Sequence, residues 1–220
     1  PFASGVYTLY GQPVSWTGVV ASLQRMSESP VHVGGLTALE LEHLAHFLPT
    51  SNSHNVQLYS EYPLPRWLNR VPVNAKFEWQ GTRRLWSEAI MMNARLTREY
   101  SWQEGLPPII YSCPEKAIME VLAKVPATVS FEHAGALVEG LSNLSPRKAD
   151  MLLRACQSIK VKRLFLWLAE RENHAWFRHL KSDDYDLGSG KRVIASNGRL
   201  NTRWMITVPK EMKVDPKLQA

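Results

Sequence analysis

The sequence predicts an α+β fold: a helix-rich mixed domain with short strands and a C-terminal β-hairpin. Three observations predict it. Short β-like runs in the first half do not alternate regularly with helices, amphipathic helical segments dominate the second half, and Asn197-Gly198 separates two apolar runs near the C-terminus. With 220 residues, of which 45% are hydrophobic, the chain can bury a core in one large domain or two small ones.

Short strands and helices are both predicted in the first half of the chain. The predicted strands lie at residues 5–10, 31–33, 56–59 and 76–79. Ser15 is a typical N-cap residue and predicts a helix to about residue 28. Thr37 and Glu40 form a capping box that predicts a helix to about Phe47. Proline is tolerated in the first helical turn, so Pro65 predicts the start of a short helix.

The second half is predicted to be mostly helical. Residues 81–106 have no clean period, and we interpret them as a helix or a strand pair between clearer elements. A strand at residues 109–111 leads into a second capping box, from Ser112 to Glu115, whose helix runs to about Lys124. Apolar residues at helical spacing predict further helices at residues 131–141, 145–158 and 160–173.

Cysteine usage and hydropathy indicate a cytoplasmic protein. The two cysteines, Cys113 and Cys156, are too few for a disulfide framework and are interpreted as buried packing residues. No run of about 18 apolar residues is present, and no basic segment followed by an apolar one opens the chain. The sequence begins with Pro1 rather than methionine, so we expect a fragment or a missing N-terminus.

The net positive charge is concentrated in the C-terminal third of the chain. Residues 1–145 hold 10 Lys/Arg and 12 Asp/Glu, whereas residues 146–220 hold 16 Lys/Arg and 8 Asp/Glu. A basic region favours an acidic partner, such as nucleic acid or an acidic protein surface. The alternative interpretation is an ordinary solvated surface.

Eight basic residues near aromatic side chains form the candidate DNA- or partner-binding surface. They are Lys160, Lys162, Arg163, Arg178, Lys191, Arg192, Arg199 and Arg203. Lys160 and Arg163 lie three residues apart, so on a helix they share a face, which is predicted to point away from the apolar face. Such an amphipathic split is also typical of a plain solvated helix.

Catalytic and metal-binding motifs are not evident, so no enzyme activity, metal or cofactor is predicted. Gly188 to Lys191 resembles part of a phosphate-binding P-loop, but the required spacing and the following Ser/Thr are missing, and we interpret it as a turn. His43 and His46 lie three apart, whereas a His-Glu-x-x-His zinc motif needs four, and no third ligand is evident. A nuclease hidden in residues 81–106 is an alternative hypothesis that would need carboxylates and lysine around a metal.

Six short blocks lie in order along the chain, at residues 31–41, 46–49, 112–122, 161–168, 188–193 and 206–209. Together they resemble the AbiEi antitoxins of type IV toxin–antitoxin systems, which act in abortive infection and phage defence. They keep the family's order and are spread over most of residues 5–210. Each block is weak alone, and the ordered set is the specific feature.

The resemblance implies an antitoxin and transcriptional autorepressor. Such proteins have an N-terminal winged helix-turn-helix that binds operator repeats, and an antitoxin domain that counters a nucleotidyltransferase-like toxin. Direct contact with the toxin is not implied. We expect residues 1–13 to end the winged-helix domain, residues 14–125 to form an α+β antitoxin region, and residues 126–220 to form a helix-rich basic region with the terminal hairpin.

The recognition helices of such a winged domain would lie before Pro1. A winged domain reads bases through a helix in the major groove, so this chain alone is expected to keep mainly salt-sensitive phosphate contacts. A second hypothesis is a DNA-binding transcriptional regulator without a toxin partner. A nucleotidyltransferase-like gene next to this one would favour the antitoxin.

Overall fold

The computed structural model describes residues 14–45 and 54–212. The predicted strand at residues 5–10, the predicted wing at residues 1–13, and His46 to Pro49 lie outside the described residues. The chain divides into two compact units, one from residues 1–83 and 87–113, and one from residues 84–86 and 114–220. We call their described parts the sheet unit and the helical unit. The predicted domain boundary at residue 125 stays a prediction.

The sheet unit is built on a five-stranded mixed sheet. Its strands are β1 (Val31–Val33), β2 (His54–Ser60), β3 (Ala75–Gly81), β4 (Thr97–Tyr100) and β5 (Ile109–Ser112). The strand order is β3-β2-β1-β5-β4. Strand β1 pairs antiparallel with β2 and parallel with β5, β2 pairs parallel with β3, and β4 pairs antiparallel with β5. The predicted strands at 31–33, 56–59, 76–79 and 109–111 are confirmed, and with them the α+β fold class.

Helix α1 (Trp16–Met26) begins where the sequence predicts. The Ser15 hydroxyl accepts a hydrogen bond from the backbone N–H of Gly18 at 3.1 Å, so it satisfies one of the helix's free donors. The helix contacts β1 and β5 and buries Val20 and Leu23. The predicted N-cap is therefore confirmed.

Helix α2 (Gly35–Leu41) begins earlier than the Thr37 capping box predicts, and that prediction is wrong. The side chain of Gln57, on β2, accepts a hydrogen bond from the Leu36 N–H at 2.9 Å and so caps the helix from a neighbouring strand. Thr37 instead lies inside the helix, where its hydroxyl accepts from the Gln57 N–H and donates to the Asn55 carbonyl. A side chain 21 residues from Leu36 therefore replaces the local cap.

The region at residues 81–106 holds short elements rather than one long helix or strand pair. Helix α3 spans Glu88–Met91, a 3₁₀ helix spans Ala94–Leu96, and β4 follows directly. The side chain of Asn93 caps the 3₁₀ helix by accepting from the Arg95 N–H at 3.0 Å. The short helix predicted to start at Pro65 is a 3₁₀ helix at Arg66–Arg70.

The helical unit is organised around two helices. Its helices are α4 (Pro114–Leu122), α5 (Phe131–Gly140), α6 (Pro146–Ala155) and α7 (Ile159–Arg171), followed by 3₁₀ helices at Ala175–His179 and Ser182–Asp184. Helix α4 contacts α5, α6 and α7, and α7 also contacts α5, the first of these 3₁₀ helices and the terminal hairpin. Helices α4 and α7 therefore form the core of this unit. The predicted starts of α5, α6 and α7 are confirmed, with Ser130, Ser145 and Ser158 as N-caps.

The C-terminal hairpin is present, but Asn197-Gly198 is not its turn, so that part of the prediction is wrong. Strands β6 (Arg199–Asn201) and β7 (Ile206–Val208) pair antiparallel across a turn at residues 202–205. Asn201 closes this turn by accepting a hydrogen bond from the Trp204 N–H at 2.9 Å. Asn197-Gly198 instead leads into β6 from the segment at 192–195, which lies along the other side of β7. The two segments that it joins are not neighbours in the sheet.

Candidate nucleic-acid interface

The eight predicted basic residues fall in separate parts of the helical unit. Lys160, Lys162 and Arg163 lie on α7, Arg178 lies in the 3₁₀ helix after it, Lys191 and Arg192 lie in the loop before the hairpin, Arg199 lies on β6, and Arg203 lies in the hairpin turn. Their exposure differs sharply. The five residues from Arg178 onwards are exposed, whereas the three on α7 are not.

Helix α7 does not present the basic outer face that its sequence predicts. Lys162 and Arg163 are each 3% exposed, and every residue from 161 to 169 is buried. The helix is covered by α4, α5, the 3₁₀ helix at Ala175–His179 and β7, so it has no continuous solvated side. The unbroken apolar run Leu164–Ala169 was the sign of this burial, because a helix that is apolar all round lies in a core.

Arg163 acts as an internal anchor for the polypeptide backbone. Its guanidinium donates hydrogen bonds to the carbonyls of Leu187, Gly188, Gly190 and Met205, at 2.7, 2.9, 2.7 and 3.0 Å. Burial, and secondly the nearby Arg192, lowers the pKa of Arg163. An arginine nevertheless stays protonated in proteins, so these are charge-assisted bonds. The sequence analysis missed this role because the four acceptors lie 24 to 42 residues away.

Lys160 is also occupied by the backbone. Its ammonium group donates to the carbonyls of Ala123 and Val125 at 2.8 and 2.7 Å, just beyond the end of α4. A cation is favoured there because the last carbonyls of a helix lack partners within it. Burial, followed by the charge of Lys124, lowers the pKa of Lys160. These contacts support a structural role.

The loop at residues 187–192, which we call the basic loop, carries exposed positive charge. Gly188 and Gly190 have φ angles of 64° and 68°, a conformation that glycine adopts readily. Residues 188 to 192 are exposed, so Lys191 and Arg192 extend from this loop into solvent. The sequence-based interpretation of Gly188 to Lys191 as a turn rather than a P-loop agrees with this geometry, because no helix follows.

Backbone pairing brings the basic loop next to the hairpin. The Arg192 N–H donates to the Met205 carbonyl at 2.8 Å, and the Thr207 N–H donates to the Arg192 carbonyl at 3.0 Å. Arg199 lies on the opposite side of β7, paired with Val208. Since adjacent strands are about 4.8 Å apart, the backbones of Arg192 and Arg199 are separated by roughly 10 Å or slightly more. The structure therefore places these two exposed cations on one small sheet.

Arg203 and Arg178 are also exposed, but only Arg203 has its charge offset by an ion pair within the described residues. Arg203 forms an ion pair with Glu170, whose other carboxylate oxygen accepts from Trp204 Nε1 at 2.6 Å. This pair joins the hairpin turn to α7 and offsets the charge of Arg203. Arg178 makes a long, 3.5 Å contact with the Asn173 side chain and otherwise faces solvent.

The described ranges contain neither a metal-binding cluster nor a membrane-spanning helix. Across residues 14–45 and 54–212, no three His, Cys, Asp or Glu side chains are grouped so that they could hold a metal ion. His43 has a positive φ of 57° beyond the end of α2, and His46 lies outside the described residues. The helices of the same ranges include none that is long and apolar enough to cross a bilayer.

The fold and the site together define an α+β protein with exposed cations around a small C-terminal sheet. A solved structure with the same fold is the RV2827C protein from Mycobacterium tuberculosis, which is 13% identical with a TM-score of 0.53. The match covers 86% of this chain and 66% of that protein, and at this identity it shows the fold alone. No curated protein is similar enough to this sequence to match it.

Two family models match the sequence over most of its length. One, described as a transcriptional regulator, AbiEi antitoxin of a type IV toxin–antitoxin system, matches residues 53–209. The other, described as the AbiEi antitoxin N-terminal domain, matches residues 2–50. The chain therefore belongs to the AbiEi antitoxin family of transcriptional regulators. The resemblance found in the sequence blocks is confirmed.

Proposed function

We propose that this chain is the antitoxin and autorepressor of a type IV toxin–antitoxin operon. It counters a nucleotidyltransferase-like toxin and binds operator DNA, mainly through an N-terminal winged helix. The observation that carries the proposal is the pair of family matches, which extend over both an N-terminal region and the antitoxin body. The protein works in the cytoplasm, where its DNA target lies, and it is a regulator rather than an enzyme.

The charge distribution of the helical unit supports a role in DNA binding. Arg178, Lys191, Arg192 and Arg199 expose their charges, and Arg192 and Arg199 share one small sheet. Contacts of this kind to phosphates hold a protein on DNA without reading its sequence. We therefore assign backbone contacts to these exposed cations and base recognition to the N-terminal domain. Arg163 supports this interface from inside, through its hydrogen bonds to the loop that carries Lys191 and Arg192.

Toxin rescue in cells tests the antitoxin part of the proposal. The chain is co-expressed with the nucleotidyltransferase-like toxin encoded beside its gene, and survivors are counted against an empty vector. We expect growth to return. The control is the same toxin expressed with an unrelated protein of similar charge, which should not restore growth.

Failure of rescue has two separable meanings. If the folded chain fails but the product of the complete gene succeeds, antitoxicity needs residues beyond this chain. If both fail, or if the adjacent gene encodes no such toxin, the antitoxin proposal is wrong. The remaining candidate is then a transcriptional regulator without a toxin partner.

A further inference from the structure

Three backbone carbonyls of the basic loop point toward Arg163 in the interior of the helical unit, whereas the Ser189 carbonyl accepts a 3.4 Å hydrogen bond from the exposed Arg192 side chain. The Arg163 guanidinium, which can only donate, bonds to the carbonyls of Leu187, Gly188 and Gly190 in this loop. A single buried cation therefore binds three of the loop's six backbone carbonyls. Because they are occupied by an internal donor, these acceptors are directed away from an incoming anion.

Three consecutive backbone N–H groups of the same loop, in contrast, have no acceptor among the described residues. They belong to Ser189, Gly190 and Lys191. All three are exposed, and a Cβ atom added at Gly190 would meet nothing within 4 Å. These consecutive donors are therefore open to solvent. Turns that present successive backbone N–H groups are a recognised way of binding anions in proteins.

The charges around these donors favour an anion. Lys191 and Arg192 are exposed and form no ion pair within the part of the chain that the structure describes. Arg163 adds a third positive charge behind the loop, close enough to Arg192 for the two to repel. Asp186, whose carboxylate accepts the Gly188 N–H at 2.9 Å, places one negative charge beside these three positive ones.

We propose that the basic loop binds a phosphodiester group of duplex DNA. The N–H groups of residues 189–191 and the side chains of Lys191 and Arg192 contact the phosphate oxygens, which displace water. Arg163 is the positioning residue, since it turns three of the loop's carbonyls inward while the N–H groups of residues 189–191 keep no internal acceptor. The inference rests on the proposed function for its choice of DNA as the ligand. It adds one specific phosphate-binding element outside the N-terminal domain.

DNA affinity and its salt dependence test the charged part of this site. Binding of the full chain is measured by fluorescence anisotropy with a 30-bp duplex from upstream of its own gene and with a scrambled duplex, from about 50 to 200 mM KCl. We expect Lys191→Ala with Arg192→Ala to weaken binding to both duplexes roughly tenfold and to reduce the salt slope by about 2. Lys181→Ala with Lys210→Ala is the matched control, because it removes two exposed charges of the same unit elsewhere.

The outcomes separate this inference from the proposed function. If the wild type binds DNA but the loop variant loses no more affinity than the control, the loop proposal is wrong and DNA binding stands. If the wild type binds neither duplex, the DNA-binding part of the proposed function is wrong, and the loop proposal is overturned with it. Antitoxin rescue can still succeed in that case.

Backbone geometry provides an independent test without any loss of charge. Gly190→Ala forces a side chain onto a φ of 68°, so it should distort the loop and weaken DNA binding at least threefold while Lys191 and Arg192 remain. Gly105→Ala is the matched control, because Gly105 has a φ of 74° and equally open surroundings in the sheet unit.

The loop donors can also be observed directly. Amide NMR shifts of residues 189–191 should move when inorganic phosphate is added, and they should move less in the Gly190→Ala variant. Shifts that do not respond to phosphate, or a Gly105→Ala variant that loses as much DNA affinity as Gly190→Ala, would overturn the proposed site.

Discussion

At the scale of single residues, the role of a basic side chain depends on what covers it. Arg163 and Arg192 have the same chemistry, but one is 3% exposed and binds four carbonyls, whereas the other extends from an exposed loop. The buried residue holds the loop's carbonyls, and the exposed one is a residue that we propose to contact DNA. Tests of the interface therefore need to treat these two classes separately.

Replacing Arg163 with methionine should destabilise the protein strongly. The substitution keeps much of the side-chain volume but leaves four carbonyls without their donor, so we expect a loss of about 2–4 kcal/mol. Chemical denaturation measures the free energy of unfolding. Arg178→Met is the control and should change it by less than about 0.5 kcal/mol, because Arg178 is exposed. Equal effects would contradict the anchoring role.

Tyr111 should make stability depend on pH in the alkaline range. Burial, followed by the hydrogen bond to Glu42, raises the pKa of Tyr111 to about 12. In the unfolded chain the phenol loses its proton near pH 10, so between about pH 10 and 12 the folded state binds more protons than the unfolded state. The free energy of unfolding should therefore fall as pH rises through this window.

The Tyr111→Phe variant provides the comparison for that pH dependence. Its free energy of unfolding should fall less steeply than that of the wild type between about pH 10 and 12, because one of the linked protons is gone. Tyr185, whose pKa is also raised by burial first, should retain part of the slope in both proteins. Parallel curves for the two proteins would show that Tyr111 is not linked to folding.

At the scale of elements, a side-chain amide makes the hydrogen bonds where direct strand pairing stops. Strand β1 pairs with β5 only at Val33 and Tyr111. Gln24, on α1, bridges the two strands beyond that point: its Nε2 donates to the carbonyls of Val31 and Ile110, and its Oε1 accepts from the Ile110 N–H. One helix residue thus serves as a substitute for missing strand pairing.

Removing this bridge should weaken the sheet unit. Gln24→Ala leaves three backbone groups without their partner, and we expect a loss of about 2–3 kcal/mol in the free energy of unfolding. Ser22→Ala on the same helix is the control, because the Ser22 hydroxyl bonds only to the Gly18 carbonyl at an exposed position. If both variants melt alike, Gln24 is not a bridge of energetic importance.

Gly198 should be intolerant of any side chain. A Cβ atom there would lie 2.3 Å from the carbonyl oxygen of Val208, which is fixed in β7. Gly198→Ala should therefore cost about 1–3 kcal/mol through displacement of the hairpin. Gly140→Ala on α5 meets nothing within 4 Å and serves as the control in the same thermal melt. A tolerated Gly198→Ala would contradict the close approach of this segment to β7.

At the scale of the whole molecule, charge is segregated along the chain. The C-terminal residues 146–220 carry the net positive charge, and part of that charge is internal or paired. The exposed remainder includes Arg192 and Arg199 on opposite sides of β7. The proposed role of this surface is contact with DNA, which is a dense polyanion, and the chain belongs to a family of transcriptional regulators.

Reversing Arg192 and Arg199 to glutamate should reduce DNA binding without unfolding the protein. We expect affinity for duplex DNA at about 0.1 M salt to fall on the order of 100-fold, since attraction becomes repulsion at two positions. The melting temperature should stay within about 2 °C of the wild type, because both side chains are exposed. The same reversal at Lys181 and Lys210 is the control, and equal losses would mean that only net charge matters.

The sequence alone determined the features that rest on local signals. Ser15 caps the predicted helix α1 because an N-cap needs only a hydroxyl and a following backbone N–H, and the apolar spacing of the later helices is equally local. The α+β class follows from the order of such segments, and the family from ordered blocks along the chain. None of these features depends on where distant residues meet.

Only the tertiary structure decided the features that rest on distant partners. Gln57 caps α2 in place of the Thr37 box, Asn197-Gly198 joins strands that are not neighbours, and Arg163 is an anchor rather than a surface cation. In each case a local pattern offered a plausible partner nearby, and packing supplied a different one from far along the chain. The physical reason is that burial excludes water, so each buried polar group must pair with whatever the fold brings within reach.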